Sequence, residues 1–102
     1  MITRIVQMTF DPARVAEFLA VFEESKHRIA NSPGCLHLEL NYQADQPNVL
    51  YTISRWNSED DLQNYRSSEL FLTTWAKTKV LFAGKPQAWT LCPSPSGMKS
   101  VE

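Results

Sequence analysis

A chain of 102 residues, 43% hydrophobic and 21% charged, is long enough for one domain with a true core, which excludes both a two-domain arrangement and a disordered chain. Ten Lys and Arg against 11 Asp and Glu leave a net charge of −1. With no basic stripe, this argues against nucleic acid, whose phosphates need clustered cations. No apolar run approaches the roughly 20 residues that cross a bilayer, and Met1 leads into an alternating segment rather than a basic-then-apolar leader, so a cytoplasmic protein is expected.

Ile2 to Phe10 alternates in side-chain type and is rich in β-branched residues, which predicts a first strand. Asp11 offers an N-cap and Pro12 suits the first helical position. Val15, Phe18, Leu19, Phe22 and Ile29 then recur at helical spacing as far as Ala30. By the same spacing Lys26 falls in this stripe, either snorkelling at the helix end or serving as a cationic clamp at a pocket mouth. Asn31-Ser32-Pro33-Gly34 stops the helix.

Cys35 to Gln43 alternates strictly: Leu36, Leu38, Leu40 and Tyr42 point one way, His37, Glu39 and Asn41 the other. Residues 44–48 read as a polar turn containing Pro47, and Val49 to Trp56 as a third strand. Ser58, with Asp61 three residues on, caps a helix whose inner side carries Leu62 and Tyr65. After Ser67 and Ser68 the helix resumes or bends, and Leu70, Phe71, Thr74, Trp75, Thr78, Leu81 and Phe82 share one broad face. Gly84 and Pro86 end it, and Gln87 to Cys92 is the last strand. The domain is therefore expected over residues 1–92, with a frayed tail over 93–102. Cys35 and Cys92 form no CxxC pair, and with only His27 and His37 beside them no zinc site of familiar spacing exists. Both thiols read as reduced, buried and inert.

The order βαββαβ predicts an α+β, ferredoxin-like fold with a four-stranded antiparallel sheet. Right-handed crossovers put both helices on one face and leave the other bare. If strands two and three pair about the 44–48 turn, Leu36, Leu38, Leu40 and Tyr42 share a face with Val49, Tyr51 and Ile53. His37, Glu39 and Asn41 then lie beside Leu50, Thr52, Ser54 and Trp56. Either the helices cover the leucine face and the polar face meets water, or the leucine face packs on a second subunit and the polar face lines a cavity. Composition favours the first.

The run Pro33-Gly34-Cys35-Leu36, the strand end Ser54-Arg55-Trp56-Asn57-Ser58-Glu59 and the segment Tyr65-Arg66-Ser67-Ser68-Glu69-Leu70-Phe71 resemble the antibiotic biosynthesis monooxygenase family. The resemblance covers about residues 2–92. It implies a homodimeric α+β barrel in which two sheets face each other and each subunit keeps a pocket between its own sheet and helices, which favours the second assignment. Gln7, His37, Glu39, Thr52, Ser54 and Trp56 would line that pocket from below, and Tyr65, Phe71, Thr74 and Trp75 would close it from above.

The family's cofactor-free oxygenases imply a monooxygenase acting on a small aromatic or quinol-like substrate with O2, needing neither cofactor nor metal. That chemistry asks for a base, a dry aromatic slot and a donor to the substrate anion. His37 and Glu39 are the catalytic candidates, Gln7 and Thr52 the donors, and Trp56, Tyr65, Phe71 and Trp75 the ring-binding walls. Against this, His37 and Glu39 could be a solvated alternation, Trp56 and Trp75 core anchors, and Tyr65 packing. Haem-degrading relatives carry a histidine where this chain has Trp75, which argues against haem. The polyketide-oxidising members' asparagine, tyrosine and arginine fall at Thr52, Leu62 and Phe71, which separates their substrates from this chain's. The alternative function is a non-catalytic dimeric small-molecule binding protein.

Overall fold

The computed structural model describes residues 1–96. Strand β1 (Ile2–Thr9) leads through a 3-10 turn (Pro12–Arg14) into helix α1 (Val15–Ala30), followed by β2 (Cys35–Gln43) and β3 (Gln46–Trp56). Helices α2 (Glu59–Arg66) and α3 (Glu69–Lys79) precede β4 (Gln87–Leu91). The strands form one open antiparallel sheet in the order β2-β3-β1-β4. This is the expected α+β, ferredoxin-like arrangement, with three helices on the chain because the second helical stretch is divided.

The divisions follow from local chemistry. The Asp11 side chain accepts from the Ala13 amide at 2.9 Å and starts the 3-10 turn ahead of α1. Ser58 caps α2 by accepting from the Asp61 amide at 3.1 Å. Ser68 caps α3 by accepting from the Phe71 amide, also at 3.1 Å. Two capped starts so close together make the Ser67-Ser68 break a designed bend rather than fraying. Gly34 has φ +83°, and a Cβ there would run into the Asp61 side chain. Only glycine lets the chain enter β2 so close to the start of α2.

The helices cover one face of the sheet. Met8, Phe10, Phe18, Leu50 and Leu81 form the larger apolar cluster, joined by Val6, Phe22 and Leu40. Ile2, Trp56 and Leu62 form a second, flanked by Cys35 and Tyr65. On α1 the buried stripe is Phe18, Ser25 and Ile29. Ser25, not Lys26, takes the inner place and donates to the Val21 carbonyl at 2.8 Å. Lys26 instead pairs with Glu23 at 2.5 Å, on the flank of the helix. Cys35 is half-buried and Cys92 is exposed rather than buried, both with free thiols.

The register of β2 against β3 differs from the expected one. Leu38 stands opposite Ser54, Leu40 opposite Thr52 and Tyr42 opposite Leu50. Leu38 and Leu40 therefore share the helix-covered side with Leu50, Thr52, Ser54 and Trp56. His37, Glu39 and Asn41 share the uncovered side with Tyr51, Ile53 and Arg55. The expected turn spans 44–48, whereas the chain turns tightly at Ala44-Asp45 and β3 begins at Gln46. Register shifts between Tyr42 and Gln43, and between Cys35 and His37, take up the difference. Because side chains alternate, an offset of one residue exchanges the faces of a whole strand. Leu38 and Leu40 are thus covered by the chain's own helices while Leu36 and Tyr42 stay exposed, and the expectation that a twin subunit seals the leucine face is overturned.

Among the described residues no helix is long and apolar enough to cross a membrane. The expected frayed tail falls in part on residues 97–102, outside the described residues.

Candidate functional site

Between the covered face of the sheet and the helices lies a cavity of about 290 Å³. The inward positions of β1 and β3 form its floor: Arg4, Val6 and Met8 from one, Thr52, Ser54 and Trp56 from the other, with Leu38 from β2. Tyr65 and Arg66 of α2 and Phe71, Thr74, Trp75 and Thr78 of α3 form its roof. The bend at Ser67-Ser68 is what turns Tyr65 and Phe71 toward one another across the break.

The roof and the end wall are continuous aromatic surface. Trp56 is fully buried, and Tyr65 stacks on it with centroids 4.9 Å apart. Tyr65 meets Phe71 edge-on at 5.3 Å, Phe71 stacks on Trp75 at 5.9 Å and only 9° from parallel, and Trp75 meets Phe82 edge-on at 5.5 Å. Such a wall binds flat, electron-rich rings by stacking and edge contacts.

Polar groups are few. The Trp56 indole donates to the Ser54 hydroxyl at 3.0 Å, and the Thr78 hydroxyl donates to the Thr74 carbonyl at 2.8 Å. The Thr52 hydroxyl has no hydrogen-bond partner among the described residues, so it is free to meet a ligand. Burial, with a smaller contribution from Cys35, pushes the Tyr65 phenol up to about 12. It is therefore a neutral wall at physiological pH and no base. Burial first, and the charge of Arg66 second, lower the Arg4 guanidinium from its ordinary value. Among the described residues no histidine or carboxylate lines the cavity.

Thr52, Trp56, Tyr65, Phe71 and Trp75, all expected at the site, line this one cavity. Gln7, His37 and Glu39 do not. Gln7 faces the other way on β1 and donates to the Tyr51 hydroxyl at 2.8 Å, which in turn donates to Gln43. His37 and Glu39 are in contact at 2.6 Å on the open side, with side chains 45% and 43% exposed. Asn41 donates to the second Glu39 oxygen at 2.7 Å. That bond and the one with His37 hold the Glu39 carboxyl below the usual carboxylate range. The expectation that these three look into the chamber is corrected, for the register reason above. Arg4 and Arg66 were not foreseen. Alternation with Ile2, Val6 and Met8 places Arg4 on the inner set, and Arg66 lies one helical turn beyond Leu62.

The sequence model of the antibiotic biosynthesis monooxygenases matches residues 1–77. The chain belongs to the antibiotic biosynthesis monooxygenase family. Solved structures agree on the fold. One described as an antibiotic biosynthesis monooxygenase, with no organism in its description, superposes with a TM-score of 0.87 at 18% identity, covering 93% of this chain and 100% of its own. A conserved protein from Methanosarcina mazei Go1 gives 0.83 at 16% identity, covering 88% and 90%. A mutant of SnoaB, a cofactor-independent oxygenase from Streptomyces nogalater, gives 0.80 at 21% identity, covering 93% and 94%. No curated protein sequence matches the chain. Among the described residues no cluster of three or more His, Cys, Asp or Glu is arranged to hold a metal ion.

Proposed function

We propose that this member of the family is a cytoplasmic, cofactor-independent monooxygenase that oxidises a small hydroxylated aromatic with O2. The observation that supports it is the aromatic-walled cavity between sheet and helices, in a chain whose family model and fold neighbours carry the monooxygenase description. In the simplest case a phenol and O2 give a quinone and water. One oxygen atom enters the ring, and the other leaves carrying the hydroxyl proton and the displaced ring hydrogen. The substrate supplies the electrons, so neither flavin nor metal is required. Trp56, Tyr65, Phe71 and Trp75 stack on the ring and exclude water, and Thr52 hydrogen-bonds a ring oxygen. With no imidazole or carboxylate lining the cavity, the more acidic hydroxyarenes react fastest.

The protein acts as a homodimer through the uncovered face of its sheet. There Trp89 and Leu91 are 42% and 49% exposed, and Ile5 and Ile53 stand opposite one another between them and β2. Such an apolar patch on an otherwise polar face is suited to self-association. His37, Glu39 and Asn41 flank it and are assigned to the interface.

The test is oxygen uptake on a panel of hydroquinones and anthrones with chelator present. We expect saturable uptake, lowered at least about tenfold in kcat/KM by Trp75→Ala, which removes a stacking wall. His37→Ala and Glu39→Ala should change it less than about threefold; a larger loss would restore that pair as the base. Saturable binding with no uptake would support a second reading, a dimeric small-molecule binding protein. The absence of a base among the cavity residues favours that alternative.

A further inference from the structure

We propose that the cavity selects an anionic aromatic, a planar ring bearing a carboxylate, with the carboxylate held by Arg4 and Arg66. This rests on the cavity being the ligand site, and it names the class of molecule bound there. Both guanidiniums line the cavity, one from the floor and one from the roof. The charge of Arg66 bears on Arg4. Among the described residues no aspartate or glutamate lines the same space. Among the described residues the ion pairs involve Arg14, Lys26, His37 and Lys77, and neither cavity arginine.

Arg4 spends one of its donors on the Thr90 hydroxyl at 2.8 Å. Arg66 makes only a long bond of 3.4 Å to the neighbouring Gln63. The remaining N–H groups are unspent. Arg4 is half-buried and Arg66 exposed, so of the two like charges beside the apolar wall it is Arg4 that loses hydration and feels the repulsion. An anion that bridges them relieves both. The whole chain has a net charge of −1, so this local excess is not a by-product of general basicity.

The geometry also limits the anion. A guanidinium fork matches the two oxygens of a carboxylate, and charge-assisted bonds of this kind are about twice as strong as neutral ones. The same cavity carries a continuous aromatic surface along Trp56, Tyr65, Phe71 and Trp75. A molecule that satisfies both parts is flat, apolar along most of its length and charged at one end.

The experiment is calorimetric titration of the full chain with naphthoate and with its uncharged carboxamide, which has the same shape. Naphthoate should bind at least about tenfold more tightly. Arg4→Gln and Arg66→Gln should each lower that ratio, the double variant should bring it close to one, and Arg66→Lys should keep part of it. Thermal melts verify that the variants are folded, and the ratio in the unmodified protein stands whether they are or not. Equal affinity for the two probes, no binding of either, or a preference that survives in the folded double variant would each overturn the proposal. Oxygen uptake separates it from the monooxygenase reading. A chain that consumes oxygen on hydroquinones but binds naphthoate no better than the carboxamide sinks the anion site alone. A chain with the naphthoate preference and no uptake sinks the oxygenase alone.

Discussion

On the helix side of the sheet, Met8, Leu50 and Trp56 are each no more than 3% exposed, and the polar groups among them are hydrogen-bonded or face the cavity. On the other side, Trp89 and Leu91 stand in the open beside a ladder of polar side chains: His37 to Glu39 to Asn41, and Gln7 to Tyr51 to Gln43. The first face is a completed core with a hole left in it, and the second an unfinished surface. A chain this small completes one layer of packing and leaves the back of its sheet uncovered. The cavity is therefore built within one chain, whereas the proposed self-association would use the open face.

That contrast can be broken most severely at Trp56. Trp56→Ala empties the junction of Ile2, Leu62 and Tyr65 and should cost about 3–5 kcal/mol, read as a lower urea midpoint. Next comes pH. The Tyr65 phenol titrates at about 12 in the folded chain against an ordinary 10, so between those values the native state keeps a proton that the unfolded state has lost. Its stabilising contribution is complete below pH 10 and is lost as pH rises to about 12, a fall of about 2–3 kcal/mol that Tyr65→Phe should abolish. A smaller loss, about 1 kcal/mol, is expected from Ser68→Ala, which removes the cap between α2 and α3. If Tyr65 and Phe71 owe their approach to that bend, the same variant should also weaken aromatic ligands.

On the open face the expected effect moves from folding to assembly. Ile53→Arg should leave the far-UV circular dichroism unchanged and reduce the mass by light scattering from about twice the chain's 11.7 kDa to that of one chain. A mass near 11.7 kDa for the unmodified protein would remove the interface assigned to this face.

Element positions were legible because each is written in local chemistry. Cys35–Gln43 alternates and forms a strand over those bounds, and Ser58 and Asp11 cap where capping residues should. Five of the expected ligand-binding residues reach the cavity because Thr52 and Trp56 alternate on one strand, Phe71 and Trp75 sit at helical spacing, and the bend between α2 and α3 brings Tyr65 to Phe71. The expected base pair stands outside the cavity for one reason. A turn over 44–48 puts His37 and Glu39 on the covered face, and an offset of one residue at Gln43 and Gln46 carries through the whole of β2. Arg4 went unnoticed because a charge in a strand reads as outward until its neighbours are known to be inward.

The sequence by itself determined the order and type of the elements, the single sheet and the aromatic side chains available to build a site. Those depend on interactions between residues close in the chain, which periodicity and caps report directly. Only the tertiary structure decided which face of the sheet the helices cover, that His37 and Glu39 stand outside the chamber, and that Arg4 and Arg66 both line it. Those outcomes turn on the pairing of strands and helices distant in sequence, where a bulge too small to leave a mark in composition exchanges inside for outside.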